Sequence, residues 1–101
     1  MRLQWTERAR RDLLSIGRYI AQNNSLAARQ WVERLRQCAR QVAARPLAGR
    51  VVPELQRNDI REVFLRTYRI VYRVRKGTIE VLTVFEGHRL FEADTPTDLD
   101  Q

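Results

Sequence analysis

The sequence predicts an α+β domain of two layers, an antiparallel-rich sheet packed on an N-terminal helical hairpin in the order β-α-α-β-β-β. Three observations predict it. Apolar residues recur at steps of three and four through the first half of the chain, branched and aromatic residues dominate from Ile60 onward, and Pro46, Gly49 and Pro53 punctuate the stretch between.

Arg2-Leu3-Gln4-Trp5 alternates polar and apolar residues, which suits a short strand with Leu3 and Trp5 facing inward. Thr6 then reads as a helix N-cap, and Glu7 places a carboxylate in the first turn, at the positive end of the helix dipole. Ala9, Leu13, Ile16 and Ile20 share one helical face, with Arg8, Arg11, Asp12 and Arg18 mostly off it, until Asn23-Asn24. Ser25 is the candidate N-cap of a second helix, whose apolar stripe runs through Ala28, Trp31, Val32, Leu35, Cys38, Ala39 and Val42 and stops at Arg45-Pro46. So short a separation predicts an antiparallel helical hairpin.

The stretch from Pro46 to Asp59 has no clean period and reads as a loop that crosses from the helices to the sheet. Three strands follow, at about 60–66, 68–75 and 78–86, with turns near Thr67 and at Lys76-Gly77. In the middle strand Tyr68, Ile70, Tyr72 and Val74 share one face, and Arg69, Val71, Arg73 and Arg75 share the other. The first face is expected to pack on the helices and the second to offer arginine.

A chain of 101 residues has room for one core, so residues 1–91 are expected to form a single domain. Residues 92–101 hold Glu92, Asp94, Asp98 and Asp100 with no basic residue and are expected to be a poorly ordered acidic tail. No apolar run approaches the roughly 20 residues of a membrane span, and no signal-like stretch opens the sequence, which points to a cytoplasmic protein. One cysteine, Cys38, and one histidine, His88, give neither a disulfide nor the usual four zinc ligands. Cys38 lies on a helical apolar stripe and reads as a structural thiol, and neither metal nor cofactor is expected.

The net charge is +7, rising to +11 over residues 1–91, and every basic residue but Lys76 is arginine. A planar guanidinium suits carboxylates and phosphates, so an acidic or polyanionic partner is implied, although arginine-rich codon usage would leave the same mark.

Five segments follow one another in the chain: Leu3-Gln4-Trp5-Thr6 with Ala9, Asp12, Leu13, Ile16 and Tyr19-Ile20; Pro46-Leu47-Ala48-Gly49-Arg50; Ile60-Arg61-Glu62; Tyr68-Arg69-Ile70-Val71-Tyr72-Arg73-Val74; and Val81-Leu82-Thr83-Val84-Phe85-Glu86-Gly87-His88-Arg89. Taken in that order, they resemble the RelE/ParE toxin superfamily. The resemblance implies a toxin held inactive by a cognate antitoxin, ParD-like and of ribbon-helix-helix type, in a hetero-oligomer. ParE-like members are associated with poisoning DNA gyrase and RelE-like members with cleaving mRNA on the ribosome; fold alone does not choose.

The ribonuclease reading would assign catalysis to Arg61, Arg69, His88 and Arg89, since metal-free cleavage needs a proton shuttle and cations on the phosphate. Against it, Tyr72 is the last tyrosine, Phe91 has no hydroxyl, and Val63 and Phe64 stand where some ribosome-dependent members carry lysines. The ParE-like reading is favoured, acting by binding and not as an enzyme, with Arg50, Arg61, Arg69, Arg73, Arg89 and Phe91 as partner-binding residues. Arg69 could equally pair with Glu62 or Glu80 across the sheet, Tyr68 and Tyr72 read as core, and Arg29, Arg34, Arg36 and Arg40 as a solvated helix face. A third reading is a non-toxic binding module or decayed toxin.

Overall fold

Two capped helices and a five-stranded sheet make up residues 1–86, the part of the chain that the computed structural model describes. The elements are β1 (Arg2–Trp5), α1 (Glu7–Ala21), α2 (Ser25–Ala44), β2 (Arg50–Val51), β3 (Ile60–Leu65), β4 (Tyr68–Arg75) and β5 (Thr78–Glu86). The predicted α+β order is therefore present with one addition, β2, inside the stretch expected to be loop. A strand of two residues, Arg50–Val51, is too short to show a period.

Thr6 caps α1, its hydroxyl oxygen accepting the Ala9 N–H at 3.1 Å while the same hydroxyl donates to Leu82 O at 3.0 Å. The cap of α2 is Asn24 and not Ser25: the Asn24 carboxamide oxygen accepts the Ala27 N–H at 2.9 Å. Both residues are good caps, and the turn decides, because Asn24 is the one whose backbone is extended.

The sheet runs β1-β5-β4-β3-β2, antiparallel throughout except for β1 on β5. The tight turns behind this meander need left-handed backbone at Arg66, with φ 57°, and at Gly77, with φ 74°. Ala9, Leu13, Leu35, Ala39, Tyr68, Ile70, Val81 and Val84 form the core between helices and sheet. Trp31 of α2 packs tilted on Tyr68 at 5.5 Å between ring centroids. Cys38 lies half-buried against this core, and burial pushes its thiol up, away from the reactive thiolate.

One carboxylate ties α1 to the sheet. Asp12 Oδ2 accepts the Thr83 hydroxyl at 2.6 Å and the Val84 N–H at 3.0 Å, next to the register shift where β4 and β5 pass between Val71 and Tyr72. Asp12→Ala is expected to cost about 1–3 kcal/mol, because the buried Val84 N–H loses its acceptor; urea unfolding of the purified protein measures it.

Residues 52–59 cross the other side of the sheet. There Val52, Ile60, Val71 and Leu82 form a second small core, with Leu55 and Phe85 packed on it. The row of open arginine expected on this face of β4 is corrected accordingly: Arg69 is 4% exposed and Arg73 6%. Among the described residues no helix is long and apolar enough to cross a membrane.

Candidate partner-binding face

The alternation of β3 and β4 sets the site on the sheet face opposite the helices. Ile60, Glu62 and Phe64 of β3 stand across from Arg73, Val71 and Arg69 of β4, and Arg50 of β2 stands beside Glu62. Glu62 is the centre of this arrangement. Its side chain is fully buried, one oxygen accepting Arg69 Nε and the other Arg50 Nε, each at 2.5 Å. Arg69 also donates through Nη2 to both carboxylate oxygens of Glu54, at 3.1 Å, so the segment over the sheet seals the pair from above. Burial alone would lower the Arg69 pKa, but its bonds to Glu62 and then Glu54 outweigh that and raise it, fixing the charge.

Around the ion pairs lie two rings. The Arg50 and Arg69 guanidinium carbons sit 5.3 and 5.8 Å from the Phe64 centroid, and Arg69 sits 5.5 Å from that of Phe85. Phe64 is 46% exposed and the Arg50 side chain 60%, so this pair is the open part of the face. Arg73 is turned away from it, donating to Glu80 Oε1 at 2.8 Å, with Arg75 3.6 Å from the same oxygen.

Arg61 lies on the helix side of the sheet, opposite Tyr72 in the ladder, and donates to the Gly49 and Asn58 carbonyls at 2.9 and 3.2 Å. It works with Tyr72 to hold the turn into β2. The Tyr72 hydroxyl donates to Pro46 O at 2.8 Å and accepts the Gly49 N–H at 3.0 Å. Burial pushes the Tyr72 phenol up, against the smaller pull of the Gly49 N–H and the Arg61 charge, and burial does the same to Tyr68. Phenols raised in the folded state contribute stability below the ordinary value of about 10 that is lost as pH climbs through their folded values. Stability measured by urea unfolding should therefore decline above about pH 10, and more gently in Tyr72→Phe.

Of the residues singled out in the sequence, Arg50 and Arg69 meet at Glu62, Arg73 stands further along β4 with Glu80, and Arg61 is on the opposite side. His88, Arg89 and Phe91 lie outside the described residues. Phe64 was not among the candidates as a binding residue. The signal was present: an aromatic side chain in alternation with Glu62, on the face that β4 lines with arginine. Among the described residues no cluster of His, Cys, Asp and Glu is placed to hold a metal ion.

The family model for the ParE toxin of type II toxin-antitoxin systems, parDE, matches residues 3–91. The chain belongs to the ParE toxin family. The solved structure described as the chromosomal ParDE TA system from P. aeruginosa shares the ParE fold with it: TM-score 0.71 at 21% identity, over 85% of this chain and 95% of that one. No curated protein matches the sequence significantly. The match spans the Pro46–Arg50 turn, the Ile60–Glu62 run and the Tyr68–Val74 strand, where Tyr72 and Arg61 hold the turn and Glu62 joins Arg50 to Arg69.

Proposed function

We propose that this ParE-family protein poisons DNA gyrase by stoichiometric binding, with no chemical step of its own, and that a cognate antitoxin neutralises it. The observation that carries binding over catalysis is where the arginines point. Arg69 and Arg73 give their guanidinium groups to Glu62, Glu54 and Glu80, and Arg61 gives its donors to Gly49 and Asn58 carbonyls. Stabilising a phosphate in a transition state needs such donors aimed into an open site. These are aimed into the chain itself.

Arg50 over Phe64 is what the face offers outward, and arginine with an aromatic ring is the pairing that anchors protein interfaces. Arg69 then acts by holding that face in shape, Arg73 by holding β4 to β5 through Glu80, and Arg89 and Phe91, which follow β5 in sequence, are proposed as further partner-binding residues. The antitoxin is proposed to be of the ParD type with a ribbon-helix-helix portion, a reading supported by the ParDE pairing of the P. aeruginosa system. It would cover the same basic surface, and the place of action is the cytoplasm, where gyrase works.

Purified protein added to a gyrase supercoiling reaction should block supercoiling and leave linear DNA. Arg50→Ala combined with Phe64→Ala should raise the concentration needed by roughly tenfold or more, the loss of an interface anchor. Unchanged supercoiling together with cleaved message in a translating extract would transfer the protein to the ribonuclease reading.

A further inference from the structure

The outer side of the helical hairpin carries a groove of about 990 Å³ between α1 and α2. Its floor is apolar: Leu13, Gly17 and Val32 line it, and Leu14 leaves 54% of its surface open there. Gly17 lets the helices close up, since a Cβ on it would lie 3.2 Å from Val32 Cγ2. Arg10, Arg18, Arg29 and Arg36 stand around the rim, and among the described residues none of the four is in an ion pair. The rim's carboxylate, Glu33, is engaged by Arg40 at 2.6 Å.

An apolar floor ringed by unpaired guanidinium groups calls for an occupant that is acidic and carries an apolar side chain. A second copy presenting the same groove would set arginine against arginine. The complement exists in the chain's own sequence. Residues 92–101 hold Glu92, Asp94, Asp98 and Asp100 with no base, and Leu99 lies between two aspartates.

We propose that the acidic segment 92–101 docks in the α1–α2 groove of its own chain, Leu99 on the apolar floor and the neighbouring carboxylates on the rim arginines. Thirteen residues from Glu86 to Leu99 can reach up to about 43 Å, beyond the 38 Å longest dimension of the molecule. Because the segment is tethered, its effective concentration is of millimolar order, so a weak site is still filled. The groove is thereby shielded from loosely fitting acidic partners and yields to one that binds it more strongly. This shielding does not depend on which target the protein poisons.

The test uses the full chain carrying Gln101→Cys in a Cys38→Ser background, with a nitroxide on the new thiol and amide signals followed by NMR. The amides of Gly17, Ala21 and Ala28 should lose at least half their intensity. They should recover in about 0.5 M salt, where charges a few ångströms apart are screened, and in Arg18→Glu with Arg29→Glu, both of which are exposed positions that leave the core intact. Equal losses across β3 and β4, or losses that the two charge reversals leave unchanged, would overturn the proposal. So would the same losses appearing in unlabelled-thiol protein mixed with nitroxide-bearing protein, since docking would then be between molecules.

Discussion

Glu62→Ala should lower the free energy of unfolding by roughly 3–5 kcal/mol, a large part of what a domain of this size possesses. The side chain has no contact with solvent, and its removal takes from Arg69, itself 4% exposed, the carboxylate that accepts its Nε, with Glu54 still on Nη2. A buried guanidinium that loses its most buried carboxylate is costly because water does not readily take the place of that acceptor in the interior. Thermal unfolding should shift down by more than about 10 °C. Replacing both partners, Glu62→Leu with Arg69→Met, should recover most of that loss, since the cost lies in a buried charge deprived of its carboxylate and not in the absence of the pair. Arg50 grips the same carboxylate from a side chain that is 60% exposed, so Arg50→Ala should cost under about 1 kcal/mol and serves as the control. A Glu62→Ala protein that unfolds with wild-type protein would show that Arg69 finds another partner or water.

Gly49→Ala is the second large effect. A Cβ at this position would lie 2.4 Å from the Tyr72 hydroxyl and 2.7 Å from the Glu62 carbonyl oxygen. The ring could retreat but the carbonyl belongs to the β3 backbone and cannot. Overpacking of this kind costs roughly 1–3 kcal/mol, and losing the Gly49 N–H bond to Tyr72 adds about 1 kcal/mol. Adding Tyr72→Phe removes the closest clash and leaves the ring edge, at 2.9 Å, and the backbone carbonyl, so the double variant should regain only part of the stability. Denaturation midpoints of the two single variants and the double variant decide this; full recovery in the double variant would mean that the hydroxyl alone excludes a side chain at Gly49.

Much of this was legible residue by residue. Thr6 as a cap, the turn at Lys76-Gly77 and the two-sided pattern of β4 depend on neighbours a few positions away, so the local sequence carries them. β2 was not legible, because its two residues become a strand only when β3 is beside them. Glu62 and Glu80 were both plausible partners of Arg69. The ladder and the segment above it decide: Glu62 and Glu54 take Arg69, and Glu80 takes Arg73. Arg61 looked equivalent to Arg69 and stands on the other side, since the register pairs Arg61 with Tyr72 and Arg69 with Phe64, which puts odd positions of β3 on the same face as even positions of β4.

By itself, then, the sequence determined the class of fold, the helical hairpin, the meander and the excess of arginine, all of which follow from hydrophobic period, capping residues and composition. Which arginines face a partner was decided only in three dimensions. A guanidinium is open or occupied according to the carboxylates that folding brings within about 3 Å of it, and residues 52–59, whose local sequence has no period of its own, bring Glu54 across the sheet to close over Arg69 and leave Arg50 and Phe64 outside.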